Sequence, residues 1–183
     1  IAGQFRQIVD YRSTESSSLS GLEGDDLFIV DDNAQPASVP APGADPQPQM
    51  NLYGDAGADR FFIGSVISTK QFEGQTVVDE ITAGVSYPVN FWGGPGNDYF
   101  EVNHNLAEIF LYGEGGDDTF FLQAHLTTIP DPSAPGSMMT ASDSDTMHVT
   151  SEEGQRDILS YVRNAPVNVI GGDGFDTLVI LGT

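Results

Sequence analysis

The sequence predicts an all-β fold, a parallel β-roll or β-solenoid of about six to seven coils of roughly 20 residues. Three observations lead there. A nonapeptide recurs five times with glycine at its first and fourth positions and aspartate at its sixth: Gly21/Gly24/Asp26, Gly54/Gly57/Asp59, Gly93/Gly96/Asp98, Gly113/Gly116/Asp118 and Gly171/Gly174/Asp176. The position two before each first glycine is apolar (Leu19, Leu52, Phe91, Leu111, Val169), as are those seven after (Phe28, Phe61, Phe100, Phe120, Leu178) and nine after (Val30, Ile63, Val102, Leu122, Ile180). The shortest step between copies, from Gly93 to Gly113, is 20 residues. Period-two alternation on both sides of a glycine turn means that one strand enters and another leaves, each burying one face.

Along the chain, residues 4–11 alternate like a strand, so 1–18 reads as a cap or a continuation of the stack. Coils follow at Gly21 and Gly54. Halving the gap from Gly54 to Gly93 predicts a degenerate coil at Gly74, with Phe72, Asp79 and Ile81 in their slots and Val77 in place of the second glycine. Coils follow at Gly93 and Gly113, and the same spacing finds a second degenerate coil at Thr140, with Met138, Asp145, Met147 and Val149, before the last at Gly171. Longer steps place insertions on the opposite edge near 31–49, 127–137 and 151–165. The first is Pro-rich and extended; the third contains the one stretch suited to a short helix. The chain reads as a single module, 1–183, cut from something longer.

Composition narrows the function. Asp and Glu number 27 against 6 Lys and Arg, a net charge of −21, with Lys70 the only lysine. Such a surface repels phosphate backbones and anionic lipid, which argues against nucleic acid and membrane partners. No apolar run reaches the roughly 18 residues of a membrane span. There is no cysteine, so neither disulfides nor thiolate metal sites stabilise the fold. Self-repulsion on this scale calls for a cation.

The repeat has the chemistry to hold one. Glycines supply positive φ for a tight turn and let one loop lie close on the next. Calcium takes six to eight hard oxygens from carboxylates and carbonyls. A turn with inward carbonyls and one aspartate provides half a cage, and the neighbouring loop provides the other half. Ca2+ is therefore the expected cofactor, up to about six ions between seven coils. Asp26, Asp59, Asp98, Asp118 and Asp176 are the candidate carboxylate ligands, Asp79 and Asp145 their counterparts in the degenerate coils, and the loop glycines the carbonyl donors.

The five copies resemble the Gly-Gly-x-Gly-x-Asp-x-Leu-x repeat of the RTX, or hemolysin-type, calcium-binding β-rolls. The chain differs from that family in carrying one nonapeptide per coil with variable loops opposite, and in breaking the first glycine pair at Leu22, Asp55 and Glu114. The resemblance implies a calcium-dependent structural repeat module of a large secreted or surface-attached bacterial protein, of the adhesin, surface-layer or biofilm-matrix type. Such a module is disordered in a low-calcium cytosol and folds outside the cell.

Other signals are weaker. His104, His125 and His148 read as surface residues, and no metalloprotease, nucleophile-elbow or zinc-spaced pattern occurs, so the chain is expected not to be an enzyme. Outward strand positions are unusually apolar: Tyr53, Trp92 and Tyr112 before the loops, Ile29, Phe62, Phe121 and Val179 after them. The alternative reading is a calcium-stabilised carbohydrate-binding module, attached to a polysaccharide-active enzyme, stacking sugars on Tyr53, Trp92 and Tyr112. Self-association, end to end through open coils or laterally through this face, is a further expectation.

Overall fold

A computed structural model describes residues 17–31, 50–130 and 157–182. The expected strand at 4–11, the Pro-rich insertion, the degenerate coil at Thr140 with Asp145, and His148 lie outside them. The described residues are all β, with 14 strands and no helix. The strands are β1 (Ser17–Ser20), β2 (Leu27–Val30), β3 (Met50–Tyr53), β4 (Arg60–Ile63), β5 (Val66–Phe72), β6 (Gln75–Ile81), β7 (Val89–Pro95), β8 (Tyr99–Val102), β9 (Ile109–Gly115), β10 (Thr119–Ala124), β11 (Leu126–Pro130), β12 (Asp157–Tyr161), β13 (Val167–Asp173) and β14 (Thr177–Gly182).

Two five-stranded sheets carry the fold, ordered β1-β3-β7-β9-β13 and β2-β4-β8-β10-β14, and every pairing in both is parallel. The chain enters each nonapeptide on a strand of the first sheet and leaves it on a strand of the second, giving five strand–loop–strand units. The register is the one the apolar columns require. Leu19, Leu52, Phe91, Leu111 and Val169 are successive partners in the first sheet. Phe28, Phe61, Phe100, Phe120 and Leu178 are successive partners in the second.

These columns face each other and form the core. Phe28, Phe61, Phe100 and Phe120 stack ring on ring at 4.8, 4.8 and 4.9 Å, tilted by no more than 8°. That distance is the spacing of hydrogen-bonded strands, so parallel in-register pairing alone brings like rings into contact. Phe61 meets Phe91 of the opposite sheet edge-on, at 5.9 Å and 82°. A one-residue slip in any strand would turn its whole column to solvent, so the pattern fixes the register.

A third sheet, ordered β12-β11-β6-β5, is built from chain inserted between units. It corrects two expectations. Residues 66–81 form an antiparallel β5–β6 hairpin, not a degenerate coil at Gly74. Its tip is Glu73 and Gly74, both with positive φ (50° and 83°), as a two-residue hairpin turn demands. The apolar slots and Asp79 fit the 20-residue spacing, but Val77 fills a place where stacked loops admit only glycine. Asp79 lies away from the loops and pairs with Lys70 at 2.8 Å on the hairpin surface. Residues 157–161 form strand β12, paired antiparallel with β11, in the stretch that read as suited to a short helix. Ile158 and Tyr161 stay exposed while Val162 joins Val78 and Ile81 in a small second core.

Candidate functional site

The five nonapeptide loops lie one above another along one side of the paired sheets, and their repeated geometry follows from three positions. The second residue is left-handed in every unit, at Leu22, Asp55, Gly94, Glu114 and Gly172, whether or not it is glycine. The fourth is always glycine with positive φ, and its N–H donates to the third-residue carbonyl of the next unit: Gly24 to Ala56, Gly57 to Pro95, Gly96 to Gly115 and Gly116 to Asp173. A Cβ on Gly57, Gly96, Gly116 or Gly174 would collide with the carbonyl of the fourth residue in the preceding unit.

The sixth residue is the aspartate. Its backbone N–H donates to Oδ1 of the aspartate in the next unit: Asp26 to Asp59 at 2.7 Å, Asp59 to Asp98 at 2.8 Å, Asp98 to Asp118 at 2.8 Å and Asp118 to Asp176 at 3.1 Å. The five carboxylates thus form one column, aimed inward. Asp59, Asp98 and Asp118 are buried, Asp26 is half-buried, and Asp176, in the last unit, is exposed.

The second carboxylate oxygen has no such partner. Oδ2 of Asp26, Asp59, Asp98 and Asp118 is buried without a hydrogen bond. It turns back over the first glycine of its own loop, where the first-glycine carbonyl of the next unit also points. A Cβ built on Gly21 would lie 2.5 Å from Asp26 Oδ2 and 2.8 Å from the Gly54 carbonyl oxygen. The Gly93 and Gly113 carbonyls stand 2.6 and 2.9 Å from the same point over Gly54 and Gly93. Two electron-rich oxygens therefore face one small space in each gap.

Burial and mutual repulsion show in the acidities. Burial, and then the charges of Asp118, Asp59 and Glu114, push the Asp98 carboxyl up to about 7, against the hydrogen bond from Asp59. Asp59 and Asp118 are raised in the same way, burial first and neighbouring aspartates after it. Such a column must be neutralised, by protons or by a cation. Its donors are all hard oxygens. Among the described residues no three Asp, Glu, His or Cys side chains converge on one point; each gap brings together one carboxylate oxygen and one backbone carbonyl.

Asp79, the remaining described candidate, is not part of this column. The fifth residues, which the sequence reading left unassigned, do take part. Asp25, Asn97 and Asp117 accept the fifth-residue N–H of the following unit, Ala58, Asp117 and Phe175, at 2.9 Å each. Asp or Asn at this position in three of five copies was the available signal.

The opposite edge corrects the reading of two histidines. His104 is 1% exposed and His125 9%, not surface residues. His104 Nδ1 meets Asn164 Oδ1 at 2.9 Å, and His125 Nε2 meets Asn103 Oδ1 at 3.1 Å. The His104 backbone is pressed against Gly64 and Gly84, which have room for no side chain on that face. Burial lowers both imidazole pKa values, holding the rings neutral.

On the outer face of the first sheet Tyr53, Trp92 and Tyr112 do form a column, but the rings stack on each other. Trp92 and Tyr112 lie 3.9 Å apart and Tyr53 and Trp92 6.2 Å, with tilts of 7° and 13°. Trp92 thus has a ring on either side, while Tyr53 and Tyr112 each turn one face to it. No family model, curated protein or solved structure matches the chain.

Proposed function

We propose that the chain is a calcium-dependent β-roll module, a structural segment of a large extracellular bacterial protein of the adhesin or matrix-filament type. The observation that carries this reading is the column of buried, unpartnered Oδ2 atoms, each sharing its space with a glycine carbonyl. A divalent cation in each gap satisfies both oxygens and cancels the repulsion along the column. Five described units leave four gaps, hence up to four ions where the sequence alone suggested about six. Hard oxygen donors favour Ca2+, and a mix of carboxylates and backbone carbonyls suits its flexible coordination better than the strict octahedron of Mg2+.

The mechanism is folding coupled to binding. At low calcium, a net charge of −21 and a column of buried carboxylates oppose stacking. At extracellular calcium, ions pin one unit to the next, with affinities of roughly 10⁻⁴–10⁻³ M, typical of extracellular modules. The product is a rigid acidic spacer rather than a catalyst. The carbohydrate-binding alternative is weakened by the aromatic column, because a sugar needs a free ring face and Trp92, the largest of the rings, lies between Tyr53 and Tyr112.

The test is a pair of titrations followed by far-UV circular dichroism, on the wild type and on Asp98→Asn. The amide keeps the acceptor for the Asp59 N–H and removes the charge. In chelator at neutral pH, Asp98→Asn is expected to be more folded than the wild type; in calcium it is expected to be less stable, with a weaker calcium midpoint and about one ion fewer by calorimetry. An unchanged sign in the two conditions, or full folding of the wild type in chelator without ion uptake, sinks the proposal.

A further inference from the structure

The four gaps between units differ in the length of chain that must close to form them. Successive aspartates of the column are 33, 39, 20 and 58 residues apart. The odds of bringing two points of a chain together fall roughly as the three-halves power of the length between them. The 20-residue step from Asp98 to Asp118 therefore closes about two, three and five times more readily than the others. It is also uninterrupted. Residues 89–124 run through β7, β8, β9 and β10 with no inserted strand, whereas the β5–β6 hairpin lies within the 39-residue step.

Closing this gap also gains contact inside and outside the core. Phe100 stacks on Phe120 within it at 4.9 Å, and Trp92 on Tyr112 outside it at 3.9 Å. Across the preceding gap Tyr53 and Trp92 stand 6.2 Å apart. β7 and β9 pair at six positions, against four for β1 with β3 and for β3 with β7. Asp98 and Asp118, on either side, are both buried. Asp98 Oδ2 has no hydrogen bond and faces the Gly113 carbonyl, so the carboxylate and the carbonyl of one ion site both come from residues 89–124.

We propose that the gap between the third and fourth units is the first to take up calcium, and that residues 89–124 around it fold at lower calcium than the units on either side. The inference rests on the calcium reading above and adds an order to it. An ion in this gap stabilises a nucleus, and stacked units spread from a nucleus through contacts with their neighbours. The ordered edges of β7 and β9 then receive β3 and β13. Each of these additions closes a longer stretch of chain, 39 or 58 residues, and so needs a higher calcium concentration. The module thus stiffens from its middle outwards, and the two middle units keep their ion when falling calcium has released the others.

Trp92, the only tryptophan of the chain, stands in the third unit and reports on this gap. In a calcium titration of the whole chain from chelator, its fluorescence should change at a midpoint about threefold or more below that of far-UV circular dichroism, which follows every unit. Hydrogen exchange read by mass spectrometry along the same titration should protect peptides from 89–124 before those from 17–30 and 167–182. Asp98→Asn removes a ligand charge from this gap and should raise the Trp92 midpoint about tenfold or more. Asp26→Asn acts on the first gap and should leave that midpoint unchanged. Coincident midpoints in the wild type, earlier protection of either outer unit, or equal shifts from the two substitutions overturn the inference and leave the calcium reading standing. No ion uptake by calorimetry overturns both.

Discussion

The loop edge and the return edge of the paired sheets hold the same five units together by opposite means. On the loop edge the main contacts repeat, glycine over glycine and aspartate over aspartate, and a backbone N–H donates each of them. On the return edge nothing repeats. A mixed four-stranded sheet, two buried histidines and three asparagines fill the space between units once each. A repeated edge tolerates no variation at its crowded position, because a change there is felt by the units on both sides. An irregular edge can absorb insertions, because each contact there is unique.

Two glycines make the contrast measurable. Gly96 and Gly74 both have positive φ, at 152° and 83°. A Cβ on Gly96 would collide with the Gly57 carbonyl, whereas one on Gly74 meets nothing within 4 Å. Gly74→Ala at the hairpin tip should cost about 1–2 kcal/mol, the price of a left-handed alanine. Gly96→Ala must in addition separate two stacked loops and their backbone hydrogen bonds, and should cost at least about 3 kcal/mol. Thermal melts of the two variants in calcium check this; equal costs would mean that the loops are not held in contact in solution.

The same distinction explains what could be read from the sequence. The strand register, the inward columns and the placing of Asp26, Asp59, Asp98, Asp118 and Asp176 were legible because each is enforced five times. The hairpin at 66–81 was misread because apolar spacing counted for more than Val77, although a Cβ at that position is what stacked loops exclude. The histidines were misread because their burial depends on Gly64, Gly84 and Asn164, distant in sequence and outside any repeat. The role of the fifth residue stayed hidden because Ala58 and Phe175 interrupt the Asp and Asn pattern.

Acidity separates the two edges in a second way. Without calcium the raised carboxyls of Asp59, Asp98 and Asp118 keep protons that the unfolded chain has released. Their contribution to stability is therefore complete below about pH 4 and is lost as pH rises through their folded values, about 7 for Asp98. His104 and His125 act in the opposite sense. Their folded pKa values are lowered, so their contribution is present above about pH 6.5 and is lost as pH falls below it. In chelator, β structure should increase as pH is lowered from about 7, protons standing in for the ion, until histidine protonation opposes it. His125→Gln should extend the gain to lower pH, and Asp98→Asn should reduce it. With calcium bound the carboxylates are charged, and only the histidine loss should remain. A chelator profile that rises from pH 5 to 7 would contradict this assignment.

The smallest effect bears on the left-handed second position of each loop. Glu114, at φ 71°, is exposed and stands between units that carry Gly94 and Gly172 at the same place. Glu114→Gly removes a left-handed side chain worth about 1–2 kcal/mol, and loses roughly 0.5–1 kcal/mol to the greater freedom of glycine in the unfolded chain. A net gain of about 0.5 kcal/mol should result. Glu114 also helps to raise the Asp98 carboxyl through its charge. Removing that charge helps an ion-free column, yet takes an attractive neighbour away from a bound cation. The gain should therefore be larger in chelator than in calcium. Leu22→Gly, at φ 76° with no charge to lose, should gain equally in both. Stability of these two variants in each condition thus separates backbone strain from charge on the loop edge, and equal behaviour of Glu114→Gly in both would mean that no cation sits within reach of that loop.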